Sequence, residues 1–336
     1  MTTAEVARVA VLGGGAWGTA LAALAVEAGH ATTLWVRRPE AAAEIASTRV
    51  NHRYLPGRLL DPGLVVTADL PEAMRGAALV VVALPSTSLH EICAHAKAAL
   101  APGALIVCAS KGFEEGTGRT LDQLLGDLLP GHAIALLSGP TFAVEIARGL
   151  PAAAVVASRD AAAASTVQRA LGGELFRIYT SDDVVGVAVG GALKNVIAIA
   201  AGCADGLGFG SNGRAALITR GLHEMGRLAA RLGGDPLTLA GLAGLGDLVL
   251  TCTGELSRNR RVGLALARGE PVASIVAHLG QVAEGVETAR TAVAMAQRLG
   301  VDMPITEKVA AVLTGQATAR EAVAQLLSRE SGSERG

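Results

Sequence analysis

The sequence predicts an α/β amino-terminal half, a Rossmann-like domain on a mostly parallel sheet, followed by an all-α carboxyl-terminal half. Three observations lead there. Short runs of Val, Leu and Ala recur through the first half, at 8–12, 32–36, 78–84, 104–108, 133–137 and 153–157. Between most of them lie Ala-rich stretches of helical period, such as 19–28 and 89–100. Strands alternating with helices imply βαβ units, and strands apolar throughout suit a sheet covered on both faces. Past Asp182-Asp183 the strand signals largely stop, and the chain to about Ser328 reads as helices broken by Gly and Pro.

In chain order, the first strand runs straight into Gly13-Gly14-Gly15-Ala16-Trp17-Gly18 and then a helix. This is G-x-G-x-x-G in a strand–turn–helix setting. In such a turn Gly13 permits the tight bend, Gly15 lets the backbone approach a pyrophosphate, and Gly18 lets helix and strand pack closely. The helix N-terminus then faces the anion. The segment reads as a dinucleotide site. The second strand, T-T-L-W-V, ends in Arg37-Arg38. An NAD enzyme usually carries an acidic residue there, about 20 residues on, for the ribose 2′-hydroxyl. Two guanidiniums instead suit a 2′-phosphate, so NADPH is expected ahead of NADH; the alternative is a pair of solvated surface arginines. The strand at 104–108 leads to Ser110-Lys111-Gly112, at the carboxyl edge where doubly wound sheets bind ligands. Ser138-Gly139-Pro140-Thr141-Phe142-Ala143 takes the same position after the next strand. A last strand is expected near 175–179, and residues 181–183 should cap the first helix of the second half. The expected division is 1–187 for the dinucleotide-binding domain, 188–330 for the helical domain and 331–336 for a polar tail.

Composition narrows the function classes. The 336 residues are 51% hydrophobic but only 2% aromatic, and the mean hydropathy is +0.43. So much apolar surface excludes intrinsic disorder. The scarcity of aromatic rings and a net charge of −1 argue against a nucleic-acid platform. One stretch, 184–204, has the length of a membrane span, but Lys194 and Asn195 sit at its middle, where charge is most costly in lipid. No integral membrane segment is expected. The N-terminus lacks a basic stretch followed by a long apolar region, so no signal peptide is read. The four cysteines form no C-x-x-C, which suits buried thiols in a reducing cytoplasm. His90 and His95 share no helix face and show no ligand spacing, so no metal is expected.

A nicotinamide enzyme that reduces a ketone must protonate the developing alkoxide, and so needs an acid beside the carbonyl oxygen. Lys194 lies in the middle of an apolar helix. A buried lysine can drop in pKa toward the working range, and a carboxylate beside it can hold it charged; the alternative is a lysine snorkelling at a helix end. Asp247, in the apolar segment G-L-A-G-L-G-D-L-V-L-T-C-T, could be that carboxylate or a helix cap. Further on, S-R-N-R-R at 257–261 sets Arg and Asn in a polar break, which suits a substrate phosphate or a solvated basic turn.

Together these segments resemble the bacterial-type NAD(P)H-dependent glycerol-3-phosphate dehydrogenase family. The blocks that carry the likeness are G-G-G-A-W-G-T-A-L-A, A-S-K-G-F-E, S-G-P-T-F-A, V-G-G-A-L-K-N-V-I-A-I-A-A-G, G-L-G-D-L-V-L-T-C-T, S-R-N-R-R-V-G, V-A-E-G-V-E-T and M-P-I-T-E, in family order from residue 13 to about 307. The resemblance implies reversible reduction of dihydroxyacetone phosphate to sn-glycerol 3-phosphate, the glycerophospholipid backbone, in a cytoplasmic homodimer. It implies Lys194 as catalytic lysine with Asp247 as its partner. Lys111, Asn195 and Thr251 would line the reacting end, and Gly139, Thr141, Ser257, Arg258 and Asn259 would hold substrate, with Arg258 on its phosphate and also at the cofactor. Ala16, Trp17, Arg37, Lys111, Ala143, Val282 and Glu284 match positions around the cofactor. The family varies at Arg37-Arg38, so the NADPH expectation rests on the arginines themselves. A rival of the same two-domain plan would act on a hydroxy acid; a non-catalytic NADP sensor would not need Lys194, Asp247 and Arg258 together.

Overall fold

The computed structural model describes residues 7–279 and 283–329. The chain divides into two compact units, one of residues 1–114 and 119–188, the other of 115–118 and 189–336. The first contains one sheet built from β1 (Arg8–Leu12), β2 (Ala31–Trp35), β3 (Val65–Thr67), β4 (Leu79–Val82), β5 (Leu105–Cys108), β6 (Ile134–Ser138), β7 (Ala152–Ala157) and β8 (Phe176–Ser181). Its helices are α1 (Ala16–Glu27), α2 (Pro39–Thr48), α3 (Leu70–Met74), α4 (Leu89–Ala96), α5 (Leu121–Leu128), α6 (Ala143–Ala147) and α7 (Ala161–Leu171). Helix α8 (Val184–Gly206) starts in this unit and continues in the other.

The strands lie in the order β3-β2-β1-β4-β5-β6-β7-β8. Every adjacent pair is parallel except β6 with β7. Both faces are buried, as continuous apolar strands require. Val9, Val11, Val81 and Val107 join the core beneath α1 and α7, while Ala10, Leu12, Val80, Val82 and Ile106 are buried on the opposite face. Chain order reverses between β1 and β4, which makes a switch point. There Leu12 stands level with Val82, and Val82 with Cys108. Register alone therefore lines up the segments that leave the carboxyl ends of β1, β4 and β5 along one edge, where such sheets bind ligands.

Two expectations need adjustment. The three-residue edge strand β3 had no counterpart in the sequence reading. The apolar run at 89–100 ends its α-helix at Ala96 and finishes as a tighter turn, Lys97–Ala99.

The second unit is helical among its described residues: the rest of α8, then α9 (Gly210–Arg231), α10 (Asp247–Thr253), α11 (Arg258–Ala267), α12 (Val272–Leu279), α13 (Glu284–Leu299), α14 (Pro304–Leu313) and α15 (Ala319–Leu327). Asp183 caps the start of α8, accepting from the Gly186 N–H at 2.8 Å. By length and composition α8 could cross a membrane, but 89% of its most apolar window is buried inside the protein. It packs on α11 at backbone distance. A methyl group at Gly263 would lie 2.0 Å from the Ile199 carbonyl oxygen, and one at Gly202 would lie 2.1 Å from that of Arg260.

Helix α14 is held by a buried acid. Glu224 of α9 accepts from the Ile305 and Thr306 N–H groups at 2.5 and 3.1 Å and from the Thr306 hydroxyl at 3.0 Å. Burial pushes its carboxyl from 4.5 up to about 7, against those hydrogen bonds and the charge of Arg227, which pull it down. The folded protein thus binds this proton more tightly than the unfolded chain, and the contribution to stability falls as pH rises from about 4.5 to about 7. Glu224→Gln cannot titrate. The difference in unfolding free energy, variant minus parent, should therefore climb across that window and level off above it. A flat difference in denaturant unfolding from pH 5 to 7.5 would contradict the assignment.

Candidate active site

The residues singled out from the sequence fall into two groups, one in each unit. In the first unit, Gly13 follows β1 with φ of +124°, a conformation that strains any side chain. A methyl group there would also meet the Ala83 carbonyl oxygen at 2.3 Å. At Gly18 a methyl group would lie 2.0 Å from the Gly13 carbonyl oxygen, so α1 can approach the turn this closely only with glycine. Gly15 is different: nothing of the protein lies within 4 Å of the position a methyl group would take. Gly15 is the N-cap of α1, and its neighbours Ala16 and Trp17 form the first turn. Trp17 stands edge-on to Phe176, with ring centroids 6.3 Å apart, and its indole N–H is buried without a hydrogen-bond partner. An open face above a helix N-terminus fits a bound dinucleotide.

Arg37 and Arg38 come one residue after β2, both exposed, and Arg38 is the N-cap of α2. After β5, Ser110 ties two loops together: its hydroxyl donates to the Leu84 carbonyl at 2.5 Å and accepts from the Leu84 N–H at 3.1 Å. Lys111 donates to the Gly139 carbonyl at 3.2 Å, which the Thr141 hydroxyl also reaches at 3.1 Å. Ala143, the first residue of α6, packs with Ala16 and Trp17 around Leu55. Thus Lys111, Gly139 and Thr141 are brought together, as are Ala16, Trp17 and Ala143.

In the second unit, Lys194 and Asp247 meet. The Lys194 ammonium donates to Asp247 Oδ1 at 2.9 Å and to the Thr251 hydroxyl at 2.8 Å. Lys194 is 7% exposed and Asp247 1%, so the lysine does not snorkel. Asp247 opens α10 after the five-residue turn Leu242–Gly246. Thr251, one helical turn on, donates to the Asp247 backbone carbonyl at 2.6 Å, which leaves its oxygen lone pairs toward the ammonium. Next to Lys194 on α8, the Asn195 amide donates to Glu284 at 3.1 Å and accepts from the Asn259 amide at 2.8 Å. Asn259 in turn accepts from the Gly285 N–H at 3.0 Å. Two asparagines so join α8, α11 and the start of α13. Val282 lies outside the described residues.

The S-R-N-R-R segment is not a polar break. Ser257 is buried and caps α11, accepting from the Arg260 N–H at 3.2 Å, and the four residues after it begin the helix. Its arginines differ. Arg260 is committed to Asp205, donating at 2.9 and 2.7 Å, and Asp205 also accepts two bonds from Arg214. Arg258 sits exposed on the first turn. Nothing in the sequence distinguishes the two, because Asp205 is remote in the chain.

The fold and these two groups define a nicotinamide-dependent oxidoreductase, with a glycine turn at the switch point of a doubly wound sheet and a separate helical unit bearing a buried lysine–aspartate pair. Residues 8–164 match the family profile of the NAD-dependent glycerol-3-phosphate dehydrogenase N-terminus, and residues 183–324 that of its C-terminus. A glycerol-3-phosphate dehydrogenase, NAD(P)+, of Trichlorobacter lovleyi is 52% identical over 96% of this chain and 98% of its own. One from Geobacter metallireducens is 51% identical over 98% and 99%. The crystal structure of glycerol-3-phosphate dehydrogenase from Coxiella burnetii superposes with a TM-score of 0.93 at 40% identity, covering 96% of this chain and 99% of that one. The chain belongs to the NAD-dependent glycerol-3-phosphate dehydrogenase family.

Proposed function

We propose that the chain catalyses the reversible NAD(P)H-dependent reduction of dihydroxyacetone phosphate to sn-glycerol 3-phosphate, with Lys194 as the proton donor. The observation that carries this reading is the buried Lys194 ammonium, fixed by Asp247 and Thr251. Those two oxygens hold the ammonium in one place. A positioned ammonium in an apolar wall stabilises charge developing on a carbonyl oxygen and can pass it a proton. The proton is later recovered from solvent, so that ketone, reduced cofactor and one proton balance alcohol and oxidised cofactor. Bound NADPH supplies the hydride.

The glycine turn, Ala16, Trp17 and Ala143 would hold the dinucleotide, with Glu284 and Val282 also at the cofactor. Arg37 and Arg38 would grip the 2′-phosphate. Lys111, Gly139, Thr141, Asn195, Ser257 and Asn259 would surround the substrate, with Arg258 on its phosphate and at the cofactor. We place the enzyme in the cytoplasm as a homodimer. NADPH absorbance tests the substrate: its loss with dihydroxyacetone phosphate against a 2-keto acid, and its formation from NADP+ with glycerol 3-phosphate against a 3-hydroxy acid. Turnover of either acid in preference would sink the assignment.

The arginine pair gives a separate prediction. Hydrogen bonds to charged groups contribute about 1.5–3 kcal/mol, or roughly 10–100-fold. Arg37→Asp should lower the NADPH/NADH ratio of kcat/KM by about that factor. An unchanged ratio would leave the two arginines as surface charges.

A further inference from the structure

The glycine turn is held from outside the dinucleotide motif by a side chain that no sequence signal marked. Asn51 is 3% exposed. It opens a short turn after α2 in which the Leu55 N–H donates back to the Asn51 carbonyl at 2.9 Å. Its amide nitrogen donates to the Gly14 carbonyl oxygen at 2.9 Å and to the Thr19 hydroxyl at 2.9 Å. Its amide oxygen accepts from the Tyr54 N–H at 3.2 Å. Both donors and the acceptor of this buried amide are therefore in use.

A trans peptide unit is planar, with its C=O and N–H pointing in opposite directions. The Gly14 carbonyl and the Gly15 N–H belong to one such unit. Anchoring the carbonyl therefore fixes where the N–H points. Without an anchor, a peptide flanked by two glycines has little intrinsic restraint. At the Gly15 Cα, a methyl group would meet no protein atom within 4 Å.

We propose that Asn51 is a positioning residue for the dinucleotide: by holding the Gly14 carbonyl it aims the Gly15 N–H at the diphosphate. This rests on the reading of the glycine turn as the diphosphate site, and the test separates the two. Kd for NADPH is measured by fluorescence titration, with thermal unfolding of each variant alongside. Gly15→Ala leaves the fold intact, because its methyl group meets open space, yet it occupies the approach of the diphosphate. Its affinity should drop on the order of tenfold or more, with Tm near the parent's. Asn51→Ala should weaken NADPH on the order of tenfold, with the loss in Kd and in KM for NADPH and far less in kcat at saturation. Asn51→Asp keeps the shape but turns a carboxylate toward the Gly14 carbonyl and the diphosphate, so it should bind more weakly still.

That order discriminates, since a space-filling role would rank Asp above Ala. Weakened binding in Gly15→Ala with parental affinity in Asn51→Ala overturns the proposal. Should Asn51→Ala fail to fold, Asn51→Asp decides alone: parental affinity overturns the proposal, and a loss beyond that of Gly15→Ala supports it. Unchanged affinity in Gly15→Ala removes the turn as the diphosphate site, and the role of Asn51 with it.

Discussion

Replacing Lys194 with methionine should remove most turnover while NADPH affinity stays close to that of the parent chain. General acid action contributes about 10²–10⁴-fold, and a preorganised positive group at a developing oxyanion about 10²–10³-fold. One atom serves both purposes here, so the loss should be on the order of 10³-fold or more in kcat. Methionine keeps an unbranched apolar stem within α8 and leaves the glycine turn of the first unit untouched. The cost falls on Asp247, which is 1% exposed and loses the ammonium, while the Thr251 hydroxyl stays on the Asp247 backbone carbonyl. Asp247→Ala breaks the same buried pair from the other side, and either break costs about 3–5 kcal/mol of stability, but it leaves the proton donor in place. Steady-state kinetics, NADPH titration and thermal unfolding of both variants separate the two effects. Near-normal kcat in Lys194→Met would end its assignment as proton donor.

The second large effect is a division of labour between two arginines two residues apart. Arg258→Ala should raise KM for dihydroxyacetone phosphate by about 10–100-fold, the value of charge-assisted hydrogen bonds to a phosphate, with a smaller change in kcat. Arg260→Ala should do the opposite. Its guanidinium is engaged with Asp205, whose side chain is 10% exposed, and its removal leaves that carboxylate to Arg214 alone. The expected result is a lowered Tm with KM changed far less. If the two variants shift KM equally, the ion triad does not set Arg260 apart, and the whole segment acts as one basic patch.

These expectations show where sequence was readable. Strands β1, β4 and β5 stand out because burial on both faces leaves an unbroken apolar run, and their parallel direction follows from alternation with helices. The edge strand β3 has no such run: Val65 is exposed and Val66 and Thr67 are half-buried, so its pattern is that of a loop. The antiparallel direction of β7 was hidden because hydrophobic period carries no direction. At the site, Lys194 was visible as a charge where apolar neighbours made it costly. The roles within S-R-N-R-R were not, since an ion pair between residues 55 positions apart leaves no local pattern. Asn51 escaped for the same reason: its function lies in a carbonyl it reaches in space.

The four cysteines turn the two-unit architecture into something that can be read chemically. All are buried. Burial pushes Cys93 up to about 11 and Cys108, Cys203 and Cys252 up to about 12. Only the thiolate alkylates, so at neutral pH the folded chain should resist iodoacetamide, and each thiol should label only when its surroundings open. Cys93 and Cys108 belong to the sheet-containing unit, Cys203 and Cys252 to the helical one. Site-resolved alkylation is therefore a pair of built-in clocks. It would time the opening of each unit separately in the unmodified enzyme, and would show which of them NADPH slows.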